Sequence, residues 1–201
     1  MFTVFLVDDD PGVLKSLSRL LRATGHDIRP YTSPLEFLTG HDATVPGCAV
    51  LDVSMPGLDG LELQQALTAG GSERPVIFLT GKSDIPTSVR AMKAGAINFL
   101  TKPVSEKDLL EAIGQAEEQD TRSRQVRAEL ASIQARIATL TRREREVLEH
   151  VVAGRLNKQI AADLGTVEKT VKVHRGRMME KLGVRTVAAL VRMTGKVGIS
   201  E

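Results

Sequence analysis

The first half of the chain alternates short apolar runs with segments in which apolar residues recur every three or four positions. Runs of four or five apolar residues predict β-strands, and the longer spacing predicts helices. The strands predicted in this way are Thr3–Val7, Cys48–Leu51, Val76–Leu79 and Ile97–Leu100, and Asp27–Tyr31 is interpreted as a further short strand. The predicted helices are Pro11–Thr24, Pro34–Gly40, Leu61–Ala69, Ile85–Ala94 and a segment from Glu106 onward. Five βα units with apolar strands predict an α/β doubly wound parallel five-stranded sheet, covered on both faces.

The middle of the chain predicts a long helix. From Glu106 to about Leu140 there is no proline, and the apolar residues follow a heptad-like spacing. These residues are Val126, Leu130, Ile133, Ile137 and Leu140. Such a pattern suits a helix that pairs with its twin in a dimer, but two heptads also suit a helix packed on its own chain. Both interpretations stay open.

The last third of the chain predicts a helix-turn-helix. Thr141 and Glu144 have the spacing of a capping box, which opens a helix that runs to about Ala153. We expect a second helix from Asn157 to Gly165, a third that is capped by Thr166 and ended by Gly183, and a last one over about 186–193. We also expect the two middle helices to share an apolar interface, formed by Ile160, Ala161, Leu164, Val167, Val171, Met178 and Leu182.

Charge divides the chain in the same place as the hydrophobic pattern. Residues 1–120 hold 17 acidic and 10 basic residues, whereas residues 121–201 hold 8 acidic and 17 basic ones. An acidic half joined to a basic half predicts two domains with different partners, the basic one binding nucleic acid. We place the boundaries at 1–118, a helical linker at 119–138, and 139–201. The single cysteine excludes an intramolecular disulfide, no apolar run could span a membrane, and the N-terminus lacks the pattern of a signal peptide, so we expect a cytoplasmic protein.

Polar residues that could carry chemistry follow the predicted strands. Asp8 and Asp9 follow the first strand, Asp52 the third, Thr80 the fourth and Lys102 the fifth, whereas Asp10 is expected to cap a helix. The carboxyl ends of parallel strands share one edge of a sheet, so these side chains should meet there. Clustered carboxylates need a cation, and Mg²⁺ or Mn²⁺ suits oxygen ligands. Because Thr80 and Lys102 can bind phosphate oxygens, we predict phosphoryl transfer onto Asp52.

The acid pair, the run D-x-x-M-P-G from Asp52, the threonine and the Lys-Pro pair together resemble the receiver domain of two-component response regulators. The resemblance covers about residues 1–118. It implies that a sensor histidine kinase phosphorylates Asp52, that Thr80 and Lys102 bind the phosphoryl group, and that Thr80 and Phe99 act as the switch. The implied metal ligands are Asp8, Asp9, Asp52 and the carbonyl of Ser54. It also implies a cis Lys102-Pro103 bond, and Lys82 is either a further phosphoryl contact or an exposed lysine.

The predicted third helix carries a basic face made of Lys169, Lys172, Arg175, Arg177 and Lys181. Cations suit DNA phosphates, and the small residues between them suit base edges. Residues 139–200 resemble the LuxR-type DNA-binding domain of NarL/FixJ regulators. The resemblance implies base contacts by Lys172, Val173 and Gly176, and backbone contacts by Lys158, Thr170, Arg175 and Arg177. Some members have a lysine in place of Gly176, so fewer direct contacts are expected here.

These expectations combine into a regulator of transcription rather than an enzyme. We expect double-stranded DNA, a sensor histidine kinase and RNA polymerase as partners, and a homodimer after phosphorylation. The dimer would form through the face around 85–99, the linker helix, or the last helix with Val187, Leu190 and Val191, which could equally form local core. One alternative is a DNA-binding regulator whose receiver works without phosphorylation. Another is a flavodoxin-like electron carrier or small phosphatase, although Asp8-Asp9-Asp10 would repel the phosphate of FMN.

Overall fold

The computed structural model describes residues 2–81 and 85–199. The chain divides into two compact units, Met1–Arg124 and Gln125–Glu201, which we call the first unit and the second unit. The first unit ends six residues after the predicted boundary at 118 and the second begins 14 residues before the predicted boundary at 139, so the predicted linker 119–138 is divided between them.

The first unit is a parallel sheet with helices on both faces, as predicted. Its strands are β1 (Thr3–Val7), β2 (Asp27–Tyr31), β3 (Gly47–Asp52), β4 (Val76–Thr80) and β5 (Asn98–Thr101). They pair in the order β2-β1-β3-β4-β5, and every pairing is parallel. The helices are α1 (Pro11–Ala23), α2 (Pro34–Gly40), α3 (Gly60–Ala69), α4 (Ile85–Lys93) and α5 (Glu106–Ala138), of which α5 continues into the second unit.

Two apolar layers, one on each face of the sheet, hold the first unit together. Alternate residues of β1 point to opposite layers, since Val4 and Leu6 pack with α1 and α5 whereas Phe5 and Val7 pack with α2 and α3. All five residues of β1 are buried. A strand that is buried on both faces needs a continuous apolar run, so β1 could be predicted from the sequence alone.

A buried polar network secures α5 to the loop before β3, and nothing in the sequence pattern indicated it. Asp120 is 2% exposed and accepts hydrogen bonds from Arg124 Nε (2.7 Å) and Gly47 N (3.3 Å). Arg124 also donates to the carbonyls of Thr44 and Val45. Arg74, beside this network, lies over the ring of Phe5 at 4.0 Å, and burial lowers its pKa despite the neighbouring charge of Asp120.

The second unit is helical. After the end of α5 it contains α6 (Arg142–Val152), α7 (Asn157–Asp163), α8 (Glu168–Leu182) and α9 (Val187–Gly195). One apolar core joins them, with Val147, Ile160, Val171 and Leu190 all fully buried. The predicted helix-turn-helix is present as α7 and α8, separated by a turn in which Gly165 has a φ of 61°.

The heptad-like residues of α5 do not all share one environment. Ile133 is 2% exposed and Leu140 is 7% exposed, and both belong to the core of the second unit. Val126, earlier in the same pattern, is 51% exposed. Packing on the same chain therefore accounts for the C-terminal part of the pattern.

Helix starts in the second unit follow the prediction in one case and depart from it in another. Thr141 and Glu144 form the predicted capping box. The prediction that Thr166 caps α8 is wrong, because α8 begins at Glu168 and Thr166 lies one residue before the N-cap position, where its backbone N–H closes the turn after α7 by bonding to the carbonyl of Ala161. Val167 holds the N-cap position of α8 and makes no side-chain hydrogen bond there. The prediction that Val167 packs between the helices is also wrong, since its side chain is exposed.

No helix among residues 2–81 and 85–199 combines the length and apolar character needed to cross a membrane.

Candidate phosphoryl site and DNA-binding surface

Four strand ends meet at the carboxyl edge of the sheet. In the pairing register Val7 lies beside Leu51, Asp52 beside Leu79, and Thr80 beside Thr101. Asp8 follows Val7 directly, and Lys102 follows Thr101. The parallel arrangement therefore brings the polar residues that follow β1, β3, β4 and β5 to one edge, as the strand-end rule predicts.

Lys102 joins two carboxylates at this edge. Its Nζ lies 2.6 Å from Asp8 Oδ2 and 2.6 Å from Asp52 Oδ1. The second oxygen of each carboxylate accepts a backbone N–H, from Asp10 for Asp8 and from Ser54 for Asp52. Asp8 is 3% exposed and Asp52 is 6% exposed, so two negative charges are held close together with little water.

The environment of Lys102 favours its charged form. Burial is the largest single influence and lowers the pKa of Lys102, but the hydrogen bonds and charges of Asp52 and Asp8 together outweigh it, and the net pKa is raised above the ordinary 10.5. A positive charge is thus held between the carboxylates at neutral pH, where it offsets their mutual repulsion.

Replacing Lys102 with methionine should destabilise the protein by about 2–3 kcal/mol at pH 7.5 in the presence of EDTA. The two carboxylates then lack a cation, and the expected cost is below that of a fully buried pair because the Lys102 side chain is 23% exposed. Since the pKa of Lys102 is raised on folding, its contribution is complete below pH 10.5 and is lost as the pH rises towards the folded value. Urea unfolding of the wild type and of the Lys102→Met protein gives the difference between their free energies of unfolding. This difference should be smaller at pH 11 than at pH 7.5 by up to about 1 kcal/mol. A difference that is the same at both pH values would contradict this role of Lys102.

The start of α3 passes close behind Asp52. Gly60 donates its backbone N–H to the carbonyl of Val53 at 3.0 Å. A Cβ on Gly60 would lie 2.3 Å from the backbone oxygen of Asp52, a contact that real side chains do not make. The chain therefore needs glycine at this point in order to hold the Asp52 loop in place.

The other predicted site residues differ in how far they are exposed. Thr80 is 4% exposed at the end of β4, whereas Asp9 and Ser54 are exposed. Within residues 2–81 and 85–199, no group of three or more His, Cys, Asp or Glu side chains has metal-binding spacing. Asp10 caps α1 through hydrogen bonds from Gly12 and Val13, as predicted. Lys82 lies outside the described residues.

Phe99 lies on β5, directly beside Phe78 of β4 in the pairing register. The two ring centroids are 6.1 Å apart, and the Phe99 side chain is half-buried. The predicted switch residue is thus in contact with the core and also reaches the surface. The Lys102-Pro103 peptide bond that comes after β5 is cis, as expected.

The exposed face of α8 carries most of the predicted DNA-contacting residues. Lys169, Lys172, Gly176 and Arg177 are exposed, Val173 is 46% exposed, and Thr170 is half-buried. The opposite side of the helix, formed by Val171, Met178 and Leu182, is buried in the core. The exposed Lys158 lies near the start of α7. The helix-turn-helix therefore presents cations and small residues together on one surface.

Two basic residues of α8 also make contacts within the second unit. Arg175 Nη1 donates to Asn157 Oδ1 at 2.8 Å and so joins α8 to the start of α7. Lys181, which we expected on the basic face, donates to the buried Glu144 at 2.6 Å and to the carbonyl of Thr139. The hydrogen bond from Lys181 is also the main cause of a lowered pKa at Glu144. Lys181 therefore stabilises the start of α6.

Comparison with known proteins shows to which family the chain belongs. Residues 4–114 match the response regulator receiver domain, and residues 138–194 match the bacterial regulatory proteins of the luxR family. Transcriptional regulatory protein FixJ of Azorhizobium caulinodans is 42% identical, over 98% of this chain and 93% of its own length. Nodulation protein W of Bradyrhizobium diazoefficiens is also 42% identical, over 98% of this chain and 87% of its own.

The chain belongs to the NarL/FixJ response regulators.

The solved structure of the response regulator StyR shows the same architecture. It has a TM-score of 0.87 and 45% identity to this chain, and the match covers 96% of this chain and 98% of that one. The fold and the two-domain function predicted from the sequence are therefore confirmed: this response regulator joins a receiver domain to a LuxR-type DNA-binding domain. Proteins of this family are transcriptional regulators and in general not enzymes. The identification rules out the electron carrier among the alternatives.

Two features of this response regulator were not predicted from the sequence. The Asp120 and Arg124 network involves charged residues, which the pattern assigns to a solvated surface, and only the fold reveals that they are buried. The exposure of Val167 was not predicted, because a valine at the start of a helix is equally consistent with a buried position. Its neighbour Thr166 offered a misleading signal, since threonine is a favoured cap.

Proposed function

We propose that Asp52 accepts a phosphoryl group from a sensor histidine kinase, and that this modification controls binding of the protein to double-stranded DNA. The observation that supports this most is the placement of Asp52, a buried carboxylate with one oxygen bonded to Lys102 and the other to a backbone N–H. A carboxylate held in this way is fixed in orientation, which favours in-line attack on phosphorus.

In the proposed transfer, an oxygen of Asp52 forms a bond to phosphorus while the bond from phosphorus to the kinase nitrogen breaks. Lys102 would neutralise the phosphoryl oxygens as the group arrives, and its ion pair with Asp52 at 2.6 Å supports this role. We propose that the hydroxyl of Thr80, at the end of the neighbouring strand β4, donates a hydrogen bond to them.

The donor set of the site fits Mg²⁺, or Mn²⁺, which is typical of receiver domains. Asp8 and Asp52 supply two buried carboxylates that already share a cation, and Mg²⁺ takes one or two carboxylates together with water and phosphate oxygens. We propose Asp8, Asp9, Asp52 and the carbonyl of Ser54 as the residues that hold it. When bound, the ion would neutralise negative charge on the transferring group.

Phosphorylation replaces the single negative charge of the Asp52 carboxylate with a phosphoryl group of about −1.5 to −2, so the site beside Thr80 and Lys102 gains up to about one negative charge. We propose that Thr80 moves towards them and that Phe99, packed against Phe78, repacks in response. This repacking would change the adjoining surface of α4. Two apolar residues of α4 are exposed there, Ile85 at 78% and Met92 at 47%. Burial of this face would favour a homodimer, which presents two copies of α8 to successive major grooves about 34 Å apart. Residues 119–138 would connect the receiver to the DNA-binding domain.

The proposed DNA contacts are base contacts by Lys172, Val173 and Gly176, with Lys158, Lys169, Thr170, Arg175 and Arg177 on the backbone. The exposure of the basic face supports this assignment. We place the protein in the cytoplasm, with RNA polymerase as a further partner on the promoter.

The test uses the full chain, a duplex enriched from a random library, and acetyl phosphate with Mg²⁺. We expect phosphorylation to raise DNA affinity about 10- to 100-fold, the range of a typical allosteric coupling. The affinity should fall steeply with salt concentration, because binding releases counterions from the phosphates. Fluorescence anisotropy measures both, and the same mixture with EDTA is the control. If affinity rises equally with EDTA, or does not rise at all, the alternative of a phosphorylation-independent receiver is favoured.

A further inference from the structure

The start of α8 combines two features that weaken a helix. Val167 holds the N-cap position without a side-chain hydrogen bond, and its side chain is 64% exposed. A serine, threonine, aspartate or asparagine there would bond to a free backbone N–H, whereas valine leaves it to water and exposes apolar surface as well. The stability of the fold does not explain this residue. Departures from local preference of this kind concentrate at functional positions.

Val167 belongs to a row of methyl-bearing side chains along α8. Thr170 and Val173 are three residues apart and so are neighbours on one side of the helix, and Val167 lies three residues before Thr170, at the N-cap. Val173 is 46% exposed and Thr170 is half-buried, whereas Val171, between them in sequence, is fully buried. The rest of the exposed face contains the basic side chains Lys169, Lys172 and Arg177.

The partner that fits an apolar row among cations is the DNA major groove. The cations complement phosphates, and the one apolar group that base pairs present in this groove is the C5 methyl of thymine. In helix-turn-helix proteins the N-terminal residues of the second helix are those that reach base edges. We propose that Val167 is a further DNA-contacting residue, which packs against the C5 methyl group of a thymine. The proposal rests on the DNA-binding function of α8.

The position of Val167 sets where that thymine lies. Val173 lies six positions after Val167, which corresponds to about 9 Å along the helix at ~1.5 Å per residue. Base pairs are spaced about 3.4 Å apart. With the helix lying along the groove, the two valines would read thymines about two to three base pairs apart.

The experiment removes one methyl group at a time from the DNA. Duplexes are enriched from a random library with the full-length, beryllofluoride-treated protein, and each thymine is then replaced by uracil, which keeps the base pairing but lacks the methyl. We expect the wild type to lose about fourfold in affinity at each of two positions in a half-site. Val167→Ser should lose the sensitivity at one of them only, and Val173→Ser at the other. Serine at position 167 is a favoured cap, so this variant will fold.

Leu35→Ser serves as the control, because Leu35 is an exposed apolar residue of the first unit at 70% exposure. It should keep the sensitivity at both positions. If the wild type binds uracil and thymine duplexes equally, or if Val167→Ser keeps both sensitivities, the role of Val167 is overturned while DNA binding stands. If no duplex is enriched at all, the DNA-binding function fails together with this inference.

Discussion

The Asp52→Asn protein should not take up a phosphoryl group from acetyl phosphate in the presence of Mg²⁺. An amide keeps the shape of the side chain and can still accept a hydrogen bond from Ser54 N, but it lacks the anionic oxygen that attacks phosphorus. It also removes one of the two negative charges that hold Lys102. Intact mass of the treated wild type should show one added phosphoryl group, and that of the variant none.

The matched control is Asp59→Asn, which makes the same chemical change in the same domain. Asp59 caps α3 through the N–H of Glu62, and asparagine is an equally good cap, so the variant should fold and be phosphorylated like the wild type. Phosphorylation of the Asp52→Asn protein to the wild-type extent would show that another residue is the acceptor.

Ile133→Asp should destabilise the DNA-binding domain by at least about 4 kcal/mol. Ile133 is 2% exposed in the core that also contains Val147 and Leu182, so the change both removes apolar packing and buries an unpaired charge. Each of these effects alone accounts for a large loss of stability. Urea unfolding followed by circular dichroism should show an early transition that the wild type lacks.

Val126→Asp is the control for this change, because Val126 occupies the equivalent heptad position one repeat earlier and is 51% exposed. Valine and aspartate have similar helix propensities, so we expect a change within about 0.5 kcal/mol. A Val126→Asp protein as unstable as Ile133→Asp would mean that the whole pattern is buried, as in a helix paired with its twin. Sedimentation of that variant would then show the loss of a dimer.

Elements that depend on residues close together in the sequence were predicted with nearly correct bounds. β1 and β2 have the predicted bounds. The apolar run of β1 ends at Asp8, whereas β2 is mixed in character and lies between Gly25 and the Ser33-Pro34 pair that starts α2. The capping box at Thr141 formed because its two partners lie three residues apart. The meeting of Asp8, Asp52 and Lys102 was also predictable, because it depends only on strands being parallel and on the identity of the residues at their carboxyl ends.

Features that depend on distant parts of the chain were not predictable in this way. Thr166 does not cap α8 because it lies one residue before the N-cap position, in a turn that its backbone bond to Ala161 closes. A heptad pattern is the same whether a helix packs on its own chain or on another, so the burial of Ile133 needed the fold. Asp120 and Arg124 bond to backbone groups that lie 73 and 80 residues earlier in the chain, which no local pattern reveals.

The most direct test of the account measures DNA affinity with and without beryllofluoride, in the wild type and in Asp52→Asn side by side. Beryllofluoride mimics the phosphoryl group on an aspartate without chemical turnover, so the measurement isolates the coupling between the two domains. The account predicts that beryllofluoride raises the affinity of the wild type about 10- to 100-fold and leaves that of Asp52→Asn unchanged. An equal increase in both proteins, or none in the wild type, would contradict it.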